Sequence, residues 1–307
     1  MARVFITREL PFPALDRLKA EHDVDEWEEK TPPPADAFLA RAQQADALLT
    51  TVTDKVDGAF LDAAPSVKAV ANLAVGTDNI DLDAASERGI PVGNTPGVLT
   101  DSTADIAFAL LLAVARRLSE GEREVREGRW APWHPSHMLG GDLADTTLGI
   151  IGWGRIGQAM ARRGEGFGMR ILHSSRSSGI PLDELLEQSD HVSLHTPLTP
   201  ETRHLMGAPQ FARMKKTAYF INTSRGGTVD QEALRAALVD GQIAGAGLDV
   251  TEPEPLTADD PLLSAPNLLV VPHVGSATVR TRSRMADLAV DNLLAALAGD
   301  EMPNRVA

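Results

Sequence analysis

The sequence contains no cysteine, a single tyrosine and only 4% aromatic residues. The first absence excludes disulfides, thiolate chemistry and cysteine-ligated metal sites. Basic runs are missing too: 29 Lys and Arg face 43 Asp and Glu, for a net charge of −14. Such a surface repels nucleic acid and anionic membranes, so neither is expected as a partner. An anionic substrate is not excluded, because its binding depends on local Arg or Lys. The longest apolar run, residues 106–115, is well short of the ~20 residues that cross a bilayer. The start, Met-Ala-Arg-Val-Phe-Ile-Thr, has no apolar signal-peptide region, and a cytoplasmic protein is the expectation. His134 and His137 lack further ligands nearby, so no metal site is expected.

With 307 residues the chain is long for one core, and two domains are expected. The stretch around which they are arranged reads Gly149-Ile150-Ile151-Gly152-Trp153-Gly154-Arg155-Ile156-Gly157. Residues 147–151 form a buried-strand pattern, and residues 158–167 follow with helix formers. Strand, glycine turn and helix in that order are the context a dinucleotide fingerprint needs. Gly152 permits the tight turn, Gly154 lets a pyrophosphate approach the backbone, and Gly157 lets helix and strand pack closely. The free N–H groups of the helix start then face the phosphates, and Arg155 and Ile156 of the glycine turn are expected among the cofactor contacts.

Before this stretch, strand-like segments at 4–6, 24–27, 45–51 and 68–73 alternate with helix-like segments at 11–20 and 35–43. This βα repeat predicts a mostly parallel sheet without a glycine fingerprint, hence a partner domain. The loop Ala74-Val75-Gly76-Thr77 follows a strand end, where its amides can hold a carboxylate. It reads equally as an ordinary turn. Thr53 and Asp54 read as helix N-caps. Residues 100–118 predict a long amphipathic helix, with the charged 120–129 as its solvated continuation. The segment 130–139 breaks the pattern, and its Trp133 reads as a ligand or partner contact, or as a packed loop residue.

After the fingerprint, the strand 169–173 ends in Ser174-Ser175-Arg176-Ser177 rather than in the Asp or Glu that binds a ribose 2′-hydroxyl. Arg176 with Ser175 and Ser177 suits a 2′-phosphate, so NADP(H) is expected in preference to NAD(H). Residues 179–181 lead directly into a short helix at 182–188 and a strand at 191–195. A parallel crossover takes a dozen residues or more, so this link reads as abbreviated and the adenosine side as open. Three later strands, 218–222, 244–250 and 268–271, each end in a loop with ionisable residues. These are Asn222-Thr223-Ser224-Arg225-Gly226-Gly227, Asp249-Val250-Thr251-Glu252-Pro253-Glu254-Pro255 and Pro272-His273-Val274-Gly275-Ser276. Arg225 can clamp a carboxylate, and a Glu beside His273 makes an acid/base pair. Singly, each reads as well as a surface charge or a packing residue. Their placement on successive loops of one nucleotide domain favours a site.

In this order the motifs resemble those of the D-2-hydroxyacid dehydrogenases, over nearly the whole chain. The branch most similar is that of the glyoxylate/hydroxypyruvate reductases. The resemblance implies an α/β fold of two Rossmann-like or flavodoxin-like doubly wound parallel-sheet domains with an interdomain cleft. Residues 1–99 plus 277–307 would be the substrate-binding domain and 100–276 the dinucleotide-binding domain. It implies Arg225 as the substrate-binding Arg, His273 as proton donor and Glu254, rather than Glu252, as its partner. Val75 and Gly76 would bind the substrate carboxylate through their amides. Asp249 would lie near the nicotinamide, with Gly275, Thr223 and Ser224 in the same region. Thr196 and Pro197 would run along the cofactor, and Trp133 would reach a neighbouring subunit's site in a homodimer. The implied reaction is NAD(P)H-dependent reduction of small 2-oxo acids. Dehydrogenation of phosphoglycerate or D-lactate, and a nucleotide-sensing corepressor-like role, are the alternatives. No regulatory domain after Ala307 is expected, which counts against the phosphoglycerate enzymes.

Overall fold

The computed structural model describes residues 1–307 and divides them into two compact units, Met1–Leu99 with Ala277–Ala307, and Thr100–Ser276. The first unit runs β1 (Arg3–Ile6), α1 (Ala14–Glu21), β2 (Asp23–Glu26), α2 (Ala35–Ala42), β3 (Ala47–Thr50), α3 (Gly58–Ala63), β4 (Ala69–Asn72), α4 (Leu82–Glu87) and β5 (Val92–Gly93). The second runs α5 (Thr100–Ala115), α6 (Leu118–Arg126), β6 (Thr147–Ile151), α7 (Arg155–Gly166), β7 (Arg170–Ser174), α8 (Leu182–Gln188), β8 (His191–Leu194), α9 (Ala208–Arg213), β9 (Tyr219–Asn222), α10 (Gln231–Val239), β10 (Gly245–Leu248) and β11 (Leu268–Val270). The last helix, α11 (Val279–Ala298), belongs to the first unit.

The first sheet is parallel in the order β2-β1-β3-β4-β5, the flavodoxin-like arrangement. Its inner strands β1, β3 and β4 are largely buried on both faces because helices cover both, whereas the edge strand β2 (Asp-Val-Asp-Glu) is polar. Val4, Ile6, Leu49 and Ala71 face α1 and α11, whereas Phe5, Leu48, Val70 and Val92 face the opposite layer with Phe38 and Leu61. Alternate residues thus feed two cores, as the period of a strand requires. The short β5 edge is covered by the chain end, where Val306 N–H donates to the Val92 carbonyl at 2.7 Å.

Asp54 is not a helix cap. The cap of α3 is Asp57, which accepts from Phe60 N–H. Asp54 is buried and accepts instead from Thr51 N–H at 2.7 Å, the Thr51 hydroxyl at 2.9 Å and the Thr7 hydroxyl at 2.5 Å, with Arg8 ion-paired at 3.3 Å. Its partners come from two strand ends, and a carboxylate so satisfied has no need of a helix.

The second sheet is parallel in the order β11-β10-β9-β8-β6-β7. Leu148, Ile150 and Ile221 pack with Leu111 of α5 and Met160 of α7 on one face; Val192, Leu194, Phe220 and Leu248 pack with Leu185, Phe211 and Leu234 on the other. Burying each such side chain contributes about 1.5–3 kcal/mol. The direction of winding reverses between β6 and β8, so the loops after these strands part there and leave a ligand crevice at the carboxyl ends.

Three expectations change in this unit. The helix after the fingerprint begins at Arg155, inside the motif, with Gly154 as N-cap. The charged segment is no continuation of α5: Arg117, at φ 54°, turns the chain and starts α6 separately. The link from β7 to β8 is a complete crossover, in which α8 packs on β6 and β7. Gly149 of β6 makes room for it, since a Cβ there would strike Leu185 and Ser189. What the sheet lacks is a strand outside β7; a tight turn covers that edge, with Ile180 N–H donating to the His173 carbonyl at 3.0 Å.

Candidate active site

The crevice is built from glycines. Gly152 has φ +95°, and a Cβ on it would lie 2.6 Å from the His195 carbonyl oxygen at the end of β8. A Cβ on Gly157 would collide with the Gly152 carbonyl oxygen. Gly154 differs: a Cβ there would meet nothing within 4 Å, so the space above it is open. The first turn of α7 therefore presents its N–H groups to open space, with no acidic residue in that turn to oppose an anion. Trp153, between the first two glycines, stacks on His173 of β7 with ring centroids 4.1 Å apart.

The opposite rim carries unsatisfied polar groups. The hydroxyl oxygens of Thr196 and Thr223 and Nδ1 of His195 are buried without a hydrogen-bond partner. Leaving such groups unpaired costs about 1–3 kcal/mol each, and a bound polar ligand removes that cost. An open Gly154, a bare helix start and these three atoms fit a dinucleotide. His195 is absent from the residues expected from sequence; its only signal there was a polar residue alternating with Ser193 in an apolar strand. Its Nε2 meets the Ser193 hydroxyl at 2.8 Å, and burial lowers its pKa from 6.5 to about 4. The folded protein thus keeps His195 neutral where the unfolded chain takes up a proton. Stability falls as pH drops from 6.5 towards 4, by an amount on the order of 2 kcal/mol. In urea titrations at pH 7 and pH 4.5, His195→Gln is expected to lose less stability than the parent over that interval; an equal loss would remove His195 as the source.

At the end of β7, Arg176 and Ser177 are exposed and Ser175 is half-buried. Ser175 N–H donates to the Ser178 carbonyl at 2.9 Å, closing a turn that presents Arg176 at its tip. Pro197, next to Thr196, is also exposed.

The three later loops are tied together from below. After β9, the Asn222 side chain donates to the Arg225 carbonyl at 3.0 Å and accepts from Ser224 N–H at 2.9 Å. Gly226 sits under the next loop, where a Cβ would strike the Thr251 carbonyl. After β10, the carboxylate of Asp249 accepts from Val274 N–H at 2.6 Å and Gly275 N–H at 2.8 Å. Burial pushes this carboxyl above its ordinary pKa, against the two amides that lower it. Asp249 thereby fixes the loop that carries His273, whose backbone is left-handed at φ 50°. A non-glycine residue held there costs of order 1 kcal/mol, and such strain clusters at functional sites.

His273 Nδ1 meets Glu254 Oε2 at 2.9 Å, and Thr251 N–H fixes the other carboxylate oxygen at 2.9 Å. Burial alone would raise the Glu254 pKa, but the His273 hydrogen bond and charge, the Thr251 amide and the nearby Arg225 together hold it below its ordinary value. Glu252 faces away and pairs with Arg203 at 3.0 Å. Arg225, Glu254 and His273 are therefore brought together on one unit. Trp133 lies 85% exposed on the 127–141 loop, which packs through Gly141 on Ala115 and Tyr219. Of the histidine pair, His137 meets Glu124 at 3.1 Å and His134 meets Ser136 at 2.8 Å. Val75 and Gly76 lie on the first unit, half-buried in the loop after β4.

A doubly wound sheet with a glycine crevice and a His–Glu pair on neighbouring loops defines a dinucleotide-dependent oxidoreductase architecture. Residues 108–275 match the family model of the D-isomer specific 2-hydroxyacid dehydrogenase NAD-binding domain. A glyoxylate reductase of Korarchaeum cryptofilum is 51% identical over 316 residues, covering 99% of this chain and 95% of that protein. A solved structure from Thermus thermophilus superposes with a TM-score of 0.94 at 49% identity, covering 99% of this chain and 100% of that one. An NADPH-dependent glyoxylate/hydroxypyruvate reductase of Sinorhizobium meliloti, solved with NADP and malonate, gives 0.85 at 36% identity, covering 100% and 97%. The chain belongs to the D-isomer specific 2-hydroxyacid dehydrogenase family and carries its NAD-binding domain. No helix is long and apolar enough to cross a membrane.

Proposed function

We propose that this protein reduces glyoxylate and hydroxypyruvate to the corresponding 2-hydroxy acids, with NADPH as the preferred cofactor. The observation that carries the chemistry is the His273–Glu254 pair at 2.9 Å, with Arg225 near enough to act on the same carboxylate. The names of the full-length relatives at 45–51% identity support the substrate class.

When bound, the reduced nicotinamide supplies the hydride. Gly152, Gly154 and Gly157, with the amides of Arg155 and Ile156, would hold the pyrophosphate. Thr196, Pro197, Thr223, Ser224, Asp249 and Gly275 would line the rest of the cofactor site. Arg225 holds the substrate carboxylate and polarises the keto oxygen, where negative charge develops. The Val75 and Gly76 amides contribute to carboxylate binding. Glu254 keeps His273 oriented through Nδ1, so that Nε2 delivers a proton to the nascent alkoxide. Residues 1–99 with 277–307 act as the substrate-binding domain and 100–276 as the dinucleotide-binding domain. The working form is a homodimer, supported by the exposed Leu118, Trp130, Trp133 and Leu139 and checked by sedimentation velocity.

The preference for NADPH rests on Arg176 at the tip of its serine-flanked turn, a strand end that carries neither Asp nor Glu. Arg176→Ala is expected to raise KM for NADPH about tenfold, with KM for NADH little changed. Steady-state oxidation of both cofactors with a panel of 2-oxo acids checks the whole reading. Faster turnover with NADH in the parent would reverse the cofactor assignment, and no turnover with any 2-oxo acid would reject the activity.

A further inference from the structure

The loop after β4 is held by three consecutive carbonyls. Ala74 accepts from Thr95 N–H at 2.9 Å, Val75 from the Asn94 side chain at 2.8 Å and Gly76 from the Asn72 side chain at 2.9 Å. In a trans peptide the carbonyl and the following N–H point in opposite directions. Tethering these carbonyls to the body of the unit therefore turns the N–H groups of Val75, Gly76 and Thr77 away from it. None of the three N–H groups takes part in the backbone hydrogen bonding. Successive amides presented in this way make an anion-binding concavity.

The two asparagines are themselves locked. Asn72 is fully buried; its oxygen accepts from the Thr50 hydroxyl at 3.1 Å, and its nitrogen also reaches Asn79 at 3.0 Å. Asn79 in turn donates to the carbonyls of Thr51 at 3.0 Å and Asp54 at 2.9 Å. Asn94 has its backbone carbonyl held by Asn292 of α11 at 2.9 Å. Gly93 makes that approach feasible, since a Cβ there would lie 2.6 Å from Asn292 Cγ. Two asparagines, Asn72 and Asn94, thus hold the loop directly, and two more, Asn79 and Asn292, hold them in turn.

We propose that Asn72 and Asn94 are positioning residues for substrate recognition: by holding the Gly76 and Val75 carbonyls, they preorganise the Gly76 and Thr77 N–H groups as donors to the carboxylate of a 2-oxo acid. This rests on the reading of the protein as a 2-oxo acid reductase. It adds Thr77 to the carboxylate contacts and explains why side-chain amides stand where apolar residues would otherwise fill a core. A rigid donor pair binds carboxylate equally in ground and transition states, so its loss appears in KM and not in kcat.

The test is Asn94→Asp, which keeps the shape and removes the donor. KM for glyoxylate is expected to rise about tenfold, with KM for NADPH and kcat within about twofold of the parent. A merely structural defect would instead lower kcat through loss of active enzyme. Deuterium exchange over residues 73–80 gives a reading independent of turnover, with oxamate as an unreducible mimic of the substrate carboxylate and carbonyl. Oxamate should slow exchange there in the parent and not in the variant. If Asn94→Asp does not fold, Asn94→Ala removes the donor without adding a charge. Parental KM for glyoxylate together with parental oxamate protection in the variant would overturn the proposal. A parent that reduces no 2-oxo acid defeats the assigned reaction; the asparagines are then judged by oxamate protection alone, whose absence from the parent or persistence in the variant overturns their role.

Discussion

Replacing His273 with alanine is expected to lower kcat by about 10²–10⁴-fold at neutral pH, the range that a positioned general acid supplies. Cofactor affinity should change little, because the pyrophosphate crevice at Gly152, Gly154 and Gly157 is formed by β6 and α7. The imidazole sits on a left-handed residue whose loop is held by two backbone N–H groups that donate hydrogen bonds to buried Asp249. Such a scaffold gives the ring one direction, and Glu254 fixes one of its nitrogens. Single-turnover kinetics with glyoxylate, combined with fluorescence titration of NADPH, measures both quantities. A variant that turns over at the parental rate would remove His273 from the chemistry. Glu254→Gln should be milder, because a neutral amide can still accept from Nδ1 and keep the ring oriented.

Replacing Arg225 is expected to be comparably severe, with kcat/KM for glyoxylate lowered by about 10³-fold in Arg225→Ala. Two effects add: loss of a charge-assisted contact to the carboxylate, and loss of a positive charge where the keto oxygen becomes an alkoxide. Arg225→Lys should recover only part of the loss, since a point charge cannot reproduce a planar fork. The loop also constrains the position: Asn222 holds the Arg225 carbonyl, and Gly226 lies beneath the Thr251 carbonyl. Steady-state kinetics of both variants, with NADPH saturating, provides the comparison. Recovery to the parental kcat/KM in Arg225→Lys would reduce the residue's role to bulk electrostatics.

The strands were legible because both faces of each sheet are covered, which makes them short continuous apolar runs such as Ala47–Thr50 and Thr147–Ile151. The loops after β9, β10 and β11 were legible as clusters of ionisable residues at strand ends, and the structure brings Arg225, Glu254 and His273 together there. Features decided by distant contacts were not legible. Asp54 and Asp57 are both acceptable caps by local chemistry, and distant partners such as Thr7, 47 positions away, help recruit Asp54 elsewhere. The break between α5 and α6 falls on Arg117, a residue type that gives no turn signal. Helix α7 starts within the glycines because its N–H groups serve the crevice, although glycine is a poor helix former. The roles of His195, Asn72 and Asn94 were not legible, because a buried polar side chain declares its role only through its partners.

The most direct test of the central claim is reduction of hydroxypyruvate by NADPH with chiral analysis of the glycerate formed. The D-isomer specificity of the family, with Arg225 and His273 in the roles proposed, predicts one NADPH consumed per D-glycerate produced. Production of L-glycerate, or no NADPH oxidation with hydroxypyruvate or glyoxylate, would contradict it.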